Sequence, residues 1–391
     1  MKEIADIAVV GGGVIGVSIA YHLAKHQLGE IILLERDSLG AGSTGRSVGS
    51  IDSFTLHPQG AELYARSFEF FQHCDEILDD DCAFTQTGSV VMAGDQHADA
   101  LREAVLQMQA VNLDVRMLDL IEFSALEPSV DIEGLTALSF APQAGYADPA
   151  LTTQAFSKAS RRMGVNIQIG RGVIGLRHAR EHVIGVDTNI GPIDVPIVII
   201  AAGPWSGRFL GSSRVGMSFR TMRHPVACLR RPSNFGTEHY SILDLVQGIY
   251  ARPDNNNLSI FGSIDTKVGY DLADPDDDHG GVSSDYILWA GDRLAHRYPK
   301  LRDSILCKGW SGMLSVSPDW QPVIGAIPGF YGLYCATGFS GHGFQISPAV
   351  GELLAGHIAG EEIMTQLLTP FQPLRFVEME SLNKYTRIIS V

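Results

Sequence analysis

The chain has 391 residues, 45% of them apolar and 19% charged, the balance of a globular enzyme with a sizeable core and about two domains. A formal net charge of −15 argues against nucleic acid or an anionic membrane as the main partner. Five cysteines, Cys74, Cys82, Cys228, Cys307 and Cys335, lack C-x-x-C spacing, which predicts reduced thiols in a cytoplasmic protein. The apolar stretch 7–20 has Glu3 and Asp6 before it and a glycine turn within it, so it reads as a nucleotide fold rather than a signal peptide. No later run approaches the ~20 apolar residues of a membrane span.

Ile7-Ala8-Val9-Val10 has the continuous apolarity of a buried parallel strand and runs into Gly11-Gly12-Gly13-Val14-Ile15-Gly16. A helix is predicted over 14–25 and a second strand over 31–34, ending on Glu35. In that arrangement Gly11 makes the tight turn, Gly13 lets a pyrophosphate approach, and Gly16 lets helix and strand pack closely. The phosphates meet free N–H groups at the helix N-terminus, and Glu35 accepts from ribose hydroxyls. The motif predicts a dinucleotide site without choosing between NAD and FAD.

The loop 40–50 follows, dense in small residues and carrying Arg46, with donors suited to phosphates or a flat polar ring. Residues 60–109 read as helical, with Leu63, Phe68, Phe71 and Leu78 as a core stripe. A second βαβ-like stretch runs from a helix over 152–163 through a strand at 165–169 and a hairpin, 172–176 and 183–188, to the apolar strand 195–202. That strand ends in Ala201-Ala202-Gly203-Pro204-Trp205-Ser206, at the carboxyl end where such sheets bind ligands. From Met217 to Ile264 alternation predicts an antiparallel sheet, with Asp254-Asn255-Asn256-Asn257 as a hairpin turn. Helices over 285–297 and 348–360 complete the prediction.

Together these motifs resemble the flavin-dependent amine oxidase superfamily of D-amino-acid oxidase, glycine oxidase, sarcosine oxidase and dimethylglycine dehydrogenase. The matching pieces are the glycine turn with Glu35, Gly42-Ser43-Thr44, Gly145-Tyr146-Ala147-Asp148-Pro149, the 201–206 string, Gly248-Ile249-Tyr250-Ala251-Arg252-Pro253 and a C-terminal block. That block holds Ser317-Pro318-Asp319-Trp320 and then Gly338-Phe339-Ser340-Gly341-His342-Gly343-Phe344. The resemblance implies an α/β protein with a glutathione-reductase-like FAD-binding Rossmann domain (1–50, 140–212 and 305–391). It implies an antiparallel-sheet substrate domain made of 51–139 and 213–304.

The resemblance also implies roles. Val14 and Ile15 begin the pyrophosphate helix, and Glu35 and Arg36 meet the adenosine. Ser43 and Thr44 hold phosphates; Arg46, Ser47, Val48 and Gly49 run beside the flavin. Val173 contacts adenine, Ala202, Gly203 and Trp205 close the strand end, and Gly338 with Phe339 to Gln345 wrap the flavin's pyrimidine edge. Tyr250, Arg252 and His342 are the candidate catalytic residues, Tyr250 and Arg252 sharing a strand face by alternation. The chemistry implied is hydride transfer from the carbon beside an amine nitrogen to FAD, the imine then hydrolysing.

The departures narrow the substrate. The arginine clamps of glycine oxidase match Leu314 and Gly341, which argues against glycine or a simple D-amino acid. The carboxylate-binding lysine and flavin-linking cysteine of monomeric sarcosine oxidase match Gln345 and Gly312, so noncovalent FAD is expected. The string is nearest to secondary-amine dehydrogenases, including the proline dehydrogenase catalytic subunit. Two readings follow: an FAD enzyme acting on a secondary amine or N-substituted amino acid, and the catalytic subunit of a hetero-oligomeric dehydrogenase that hands electrons to a partner. The acceptor, oxygen or a partner, stays open, as does homo- or hetero-oligomerisation.

No metal is expected. His178 and His182 fall in a hairpin rather than on one helix face. Residues 274–279 are similar to a calcium loop but carry His279 where glycine is needed, and read as a solvated acidic loop. His224, before Pro225 at the start of a substrate-sheet strand, is placed to line the pocket or to be a satisfied surface or core histidine, the second being the safer reading.

Overall fold

In the computed structural model, which describes residues 3–52, 58–211, 218–236, 239–277 and 280–376, the apolar runs assemble into a six-stranded sheet. Its order is Asn166–Ile169, Ile31–Glu35, Ile7–Val10, Ile197–Ile200, Leu333–Thr337 and Val323–Ala326. The first five run parallel and the last is antiparallel. Helices Val14–Lys25, Pro149–Arg162 and Ser347–Ala359 cover one face, and a four-stranded sheet with Val173–Ala179 and His182–Thr188 packs on the other. Burial on both faces is why the central strands Ile7–Val10, Ile31–Glu35 and Ile197–Ile200 are almost continuously apolar.

The second sheet is larger. Nine strands are joined in the order Asp271–Leu272, Arg220–Arg230, Leu258–Ser263, Ile249–Asp254, Ser241–Asp244, Ser89–Ala93, Ala137–Ala141 and Arg116–Leu118, with Ile305–Val316 pairing Arg220–Arg230. All joins are antiparallel except Ser241–Asp244 with Ser89–Ala93. Ile249, Ala251, Phe261 and Ile242 turn one face onto helix Ser284–Arg297, whose Tyr286, Ala290 and Leu294 complete a buried cluster. The alternate residues face the nucleotide sheet. The predicted hairpin turn is present, with Asn256 and Asn257 at φ of 60° and 61°.

Three expectations are corrected. Residues 60–109 are not helical throughout: Ser89–Ala93 is a strand between helices Ala61–Gln72 and Ala98–Ala110. Its Ser-Val-Val-Met-Ala run is wholly buried, and a short buried strand has no period that separates it from a helix. Strand Ile305–Val316 lies in the large sheet rather than with the nucleotide-binding strands. Cys74 and Cys82 form a disulfide across helix Cys74–Leu78, their Cα atoms 6.2 Å apart; a pair eight residues apart carries no signature in sequence. Cys228 and Cys335 are buried free thiols and Cys307 an exposed one.

Among the described residues no helix is long and apolar enough to cross a membrane. Met217, Asp278 and His279 lie outside the described residues.

Candidate functional site

A continuous cleft of about 1470 Å³ runs between the two sheets, from Glu35 and Val173 at one end to His224 and Tyr250 at the other. The nucleotide end is set by backbone packing. Gly11 has φ +112°, and a Cβ there would lie 2.4 Å from the Ala201 carbonyl oxygen. A Cβ on Gly16 would lie 1.9 Å from the Gly11 oxygen, so helix and strand touch only through glycine. Helix Val14–Lys25 begins at Gly13 with no side-chain cap, which leaves N–H groups turned to the cleft for an anion. The Val14 N–H donates to Thr44 Oγ1 at 3.1 Å, drawing the small-residue loop over the helix start. Glu35 is oriented from both sides, Oε2 accepting from Gly12 N–H at 2.6 Å and Oε1 from Asp37 N–H at 2.7 Å. Its other lone pairs suit ribose hydroxyls.

Arg36 stacks over Trp205 at 4.9 Å. Asp276, from the loop that resembled a calcium site, holds both: Oδ1 accepts from Trp205 Nε1 at 2.6 Å and from Arg36 at 3.2 Å, while Oδ2 accepts from Arg208. These donors hold its carboxyl down, to about 2. The described part of the acidic loop keeps its carboxylates exposed, as expected, and Asp276 in addition bridges the nucleotide end.

In the middle of the cleft the loop 40–50 is braced from inside. Arg46 donates to the carbonyls of Ala41 and Gly42, Ser43 Oγ to the Met313 carbonyl, and Trp310 Nε1 to the Arg46 carbonyl at 3.0 Å. The opposite lip is the turn 339–345. Gln345 Nε2 donates towards His342 Nδ1 at 3.1 Å and Tyr64 Oη at 3.3 Å, while its Oε1 accepts from Asp52 N–H at 3.2 Å.

The far end pairs Tyr250, a candidate from the sequence, with His224, a partner that sequence reading did not assign to it. His224 Nδ1 is 3.2 Å from the Gly269 carbonyl and Nε2 is 3.3 Å from the Tyr250 hydroxyl. A carbonyl only accepts, so Nδ1 carries the proton. Burial pushes the imidazole down to about 4, so it is neutral and Nε2 accepts from Tyr250. Tyr250 is likewise kept protonated, its pKa raised well above the usual tyrosine range by burial. The hydroxyl gives its proton to His224 and turns its lone pairs to the cleft. Gly262, opposite Tyr250 in the sheet, makes room, since a Cβ there would lie 2.3 Å from the hydroxyl oxygen. A histidine before proline in a strand gives no periodic signal; its partner comes from 26 residues away.

Of the cofactor positions named above, Gly11, Gly13, Val14, Ile15, Glu35, Arg36, Ser43, Thr44, Arg46, Ser47, Val48, Val173, Ala202, Gly203 and Trp205 line the cleft, as do Phe339 to Gln345. Gly16, Gly49 and Gly338 stand behind the wall in packing positions. Tyr250 and His342 line it; Arg252 does not. Arg252 is 6% exposed, donates to the carbonyls of Val48 and Pro253, pairs with Asp254 Oδ1 at 3.0 Å and lies 4.1 Å over the Tyr146 ring. Alternation put it on the face of Tyr250, but two residues along the strand carry it beneath the loop 46–50, where it braces backbone. The donors and the glycine crevice present fit a dinucleotide.

Fold and cleft define a flavoprotein that seats its dinucleotide on a parallel sheet and faces a second, mostly antiparallel one. The chain belongs to the DAO family of FAD dependent oxidoreductases, whose model matches residues 6–357. It is 28% identical to the FAD-dependent oxidoreductase domain-containing protein 1 of Bos taurus, over 96% of this chain and 85% of that one. It is 25% identical to the mitochondrial sarcosine dehydrogenase of Mus musculus over 91% of this chain, spanning only 40% of that protein. The structure of L-proline dehydrogenase from P. horikoshii superposes with a TM-score of 0.86 at 25% identity, over 97% of this chain and 99% of that one.

Proposed function

We propose that this FAD-dependent oxidoreductase oxidises the C–N bond of a secondary amine or N-substituted amino acid. The carbon beside the nitrogen loses a hydride, the nitrogen loses its proton, and the resulting imine takes up water to give a carbonyl compound and an amine. The flavin, when bound, supplies the two-electron acceptor.

The observation that carries the reading is the His224–Tyr250 pair. A neutral tyrosine oxygen that gives its proton to a neutral imidazole is an acceptor, and it suits the N–H of an uncharged amine. Leu314 supports it: it lines the cleft, with Cδ1 3.9 Å from where a Cβ on Gly341 would stand, so the two positions matched to glycine oxidase's clamps offer no cation. Sarcosine dehydrogenase and L-proline dehydrogenase, both similar to this chain, are named for secondary amines. Noncovalent FAD is part of the proposal, since neither Cys307 nor Cys335 lines the cleft. So are the cofactor-binding residues named above, with Tyr250 and His342 at the reacting end, and a FAD-binding part of 1–50, 140–212 and 317–391.

Anaerobic mixing of the loaded enzyme with N-methyl amino acids, cyclic imino acids and plain secondary amines tests this. Bleaching of the flavin absorbance is expected, and its return on admitting air identifies oxygen as the acceptor. A persistently bleached flavin instead favours a partner protein. If none of these amines bleaches the flavin, the proposal falls.

A further inference from the structure

Two carboxyls line the cleft on the Tyr250 side and are left unused by the amine reading: Asp265, whose Oδ1 accepts from Lys267 N–H at 2.9 Å within its own turn, and Asp52. Asp52 follows the short strand Ser50–Ile51, lines the cleft and is half-buried. Its backbone N–H donates to Gln345 Oε1 at 3.2 Å, and the Ser89 hydroxyl nearby favours its charged form. Ser89 and Val91 lie on one strand face, Val91 level with Leu243 and Leu243 level with Tyr250. All four line the cleft. The strands of Ser89 and Tyr250 are thus two spacings apart, about 10 Å, and face one space that Asp52 also lines.

The arginines of the wall are engaged elsewhere. Arg36 and Arg208 hold Asp276, Arg46 holds the carbonyls of its own loop, and Arg293 lies 4.1 Å over Trp289. Among the described residues no ion pair reaches Asp52, and the neighbouring Tyr64, Gln345 and His342 are bonded to one another. A partly buried carboxylate with no cation is costly, and burial pushes this one up to about 6. A positive charge brought into the cleft relieves that cost; a negative one adds to it.

We propose that Asp52 and Ser89 form a subsite for a positively charged group at the end of the substrate remote from the reacting nitrogen, so that the substrate is a secondary amine bearing a second, cationic nitrogen. This rests on the amine reading above and narrows it. Three probes share the reacting end and differ at the other: N-methylputrescine, N-methylbutylamine and N-methyl-γ-aminobutyrate. With FAD-loaded enzyme under anaerobic conditions, N-methylputrescine is expected to reduce the flavin with kcat/KM about 10-fold or more above N-methylbutylamine, the acid being slowest. Asp52→Asn brings the ratio of the first two close to unity, and Asp52→Glu restores part of it. Butylguanidine, titrated calorimetrically as a non-reacting cation, binds the wild type and not Asp52→Asn. Flavin absorbance and the thermal transition report whether each variant is folded and loaded; if Asp52→Asn does not hold FAD, Ser89→Ala supplies the comparison.

Equal kcat/KM for the diamine and the plain amine in the wild type overturns the proposal, as does a ratio that Asp52→Asn leaves unchanged. A loss shared by all three probes also overturns it, because Asp52 then acts on the reaction rather than on the remote charge. If no probe reduces the flavin the amine reading itself fails, while butylguanidine binding still reports on the subsite.

Discussion

The Tyr250 hydroxyl lies 3.3 Å from His224 Nε2, and the two rings stack with centroids 6.0 Å apart. The polarity of this bond is set from behind by the Gly269 carbonyl, which fixes the imidazole tautomer. Under the proposed function, Tyr250→Phe removes the oxygen assigned to the substrate nitrogen and leaves the glycine crevice intact. The rate constant for anaerobic flavin reduction is expected to fall about 10- to 100-fold, the worth of one hydrogen bond to a reacting group. Stopped-flow absorbance checks it, with an unchanged flavin spectrum as the control. Because His224 protonates only near 4, it contributes no limb to the pH profile between 5 and 8.

Arg252 is expected to behave as a brace. Arg252→Met leaves the Val48 carbonyl and Asp254 without their partner, and a buried pair broken on one side costs about 3–5 kcal/mol. Its melting temperature and FAD retention fall together, while KM for an acidic and an uncharged amine, measured on the loaded fraction, keep their ratio. A selective loss of the acidic substrate would return Arg252 to the substrate site.

Asp276 ties Trp205, Arg36 and Arg208 across the nucleotide end. Asp276→Ala frees all three, and the FAD dissociation constant is expected to rise about 10-fold, read from flavin fluorescence on dilution. The sign of the pH effect follows from a carboxyl held down to about 2. The bridge is complete above the ordinary carboxylate value and weakens as pH falls towards 2. FAD release should therefore accelerate in acid in the wild type and less so in the variant.

The two glycines of the first turn should separate folding from binding. Gly16→Ala drives a Cβ into the Gly11 carbonyl and is expected to yield insoluble or unfolded protein. Gly13→Ala meets only Thr44 Oγ1, at 3.2 Å, so the fold survives while the methyl group occupies the approach of the pyrophosphate. Circular dichroism and FAD titration distinguish the outcomes.

His22 is 5% exposed in helix Val14–Lys25, and neither ring nitrogen has a hydrogen-bond partner. Burial pushes it down to about 3. The unfolded chain takes up this proton near 6.5 and the folded chain does not, so stability is lost as pH falls from about 6.5 towards 3. His22→Leu removes both the unpaired nitrogens and this proton. Its melting temperature is expected to exceed the wild type's by about 2–5 °C at pH 7, with the gap widening by pH 4.5, followed by thermal unfolding at both values.

Much of the nucleotide end was legible because its signals are local. The turn from Gly11 to Gly16, the strand ending on Glu35 and the loop with Ser43 and Thr44 lie within one βαβ unit, where spacing dictates geometry. The turn from Gly338 to Phe344 was legible through its resemblance to a family rather than through any period. The helix read across Ser89–Ala93 failed because a fully buried strand shows no alternation. Arg252 failed because alternation tells which face a residue takes but not how far along the sheet the cleft extends.

By itself the sequence pointed to a dinucleotide site, and its resemblance to a family added the flavin and the absence of the familiar carboxylate clamps. These rest on glycines and motif residues whose neighbours in the chain are their neighbours in space. Only the tertiary structure decided which side chains meet at the reacting end. His224 and Tyr250 come from different strands, and Asp52 reaches Ser89 and Gln345 from a third segment. Asp276 crosses from the large sheet to the nucleotide end. Such contacts depend on strand register and on how two sheets face each other, and burial, which moves His224 and Asp52 away from their ordinary protonation, exists only once they do.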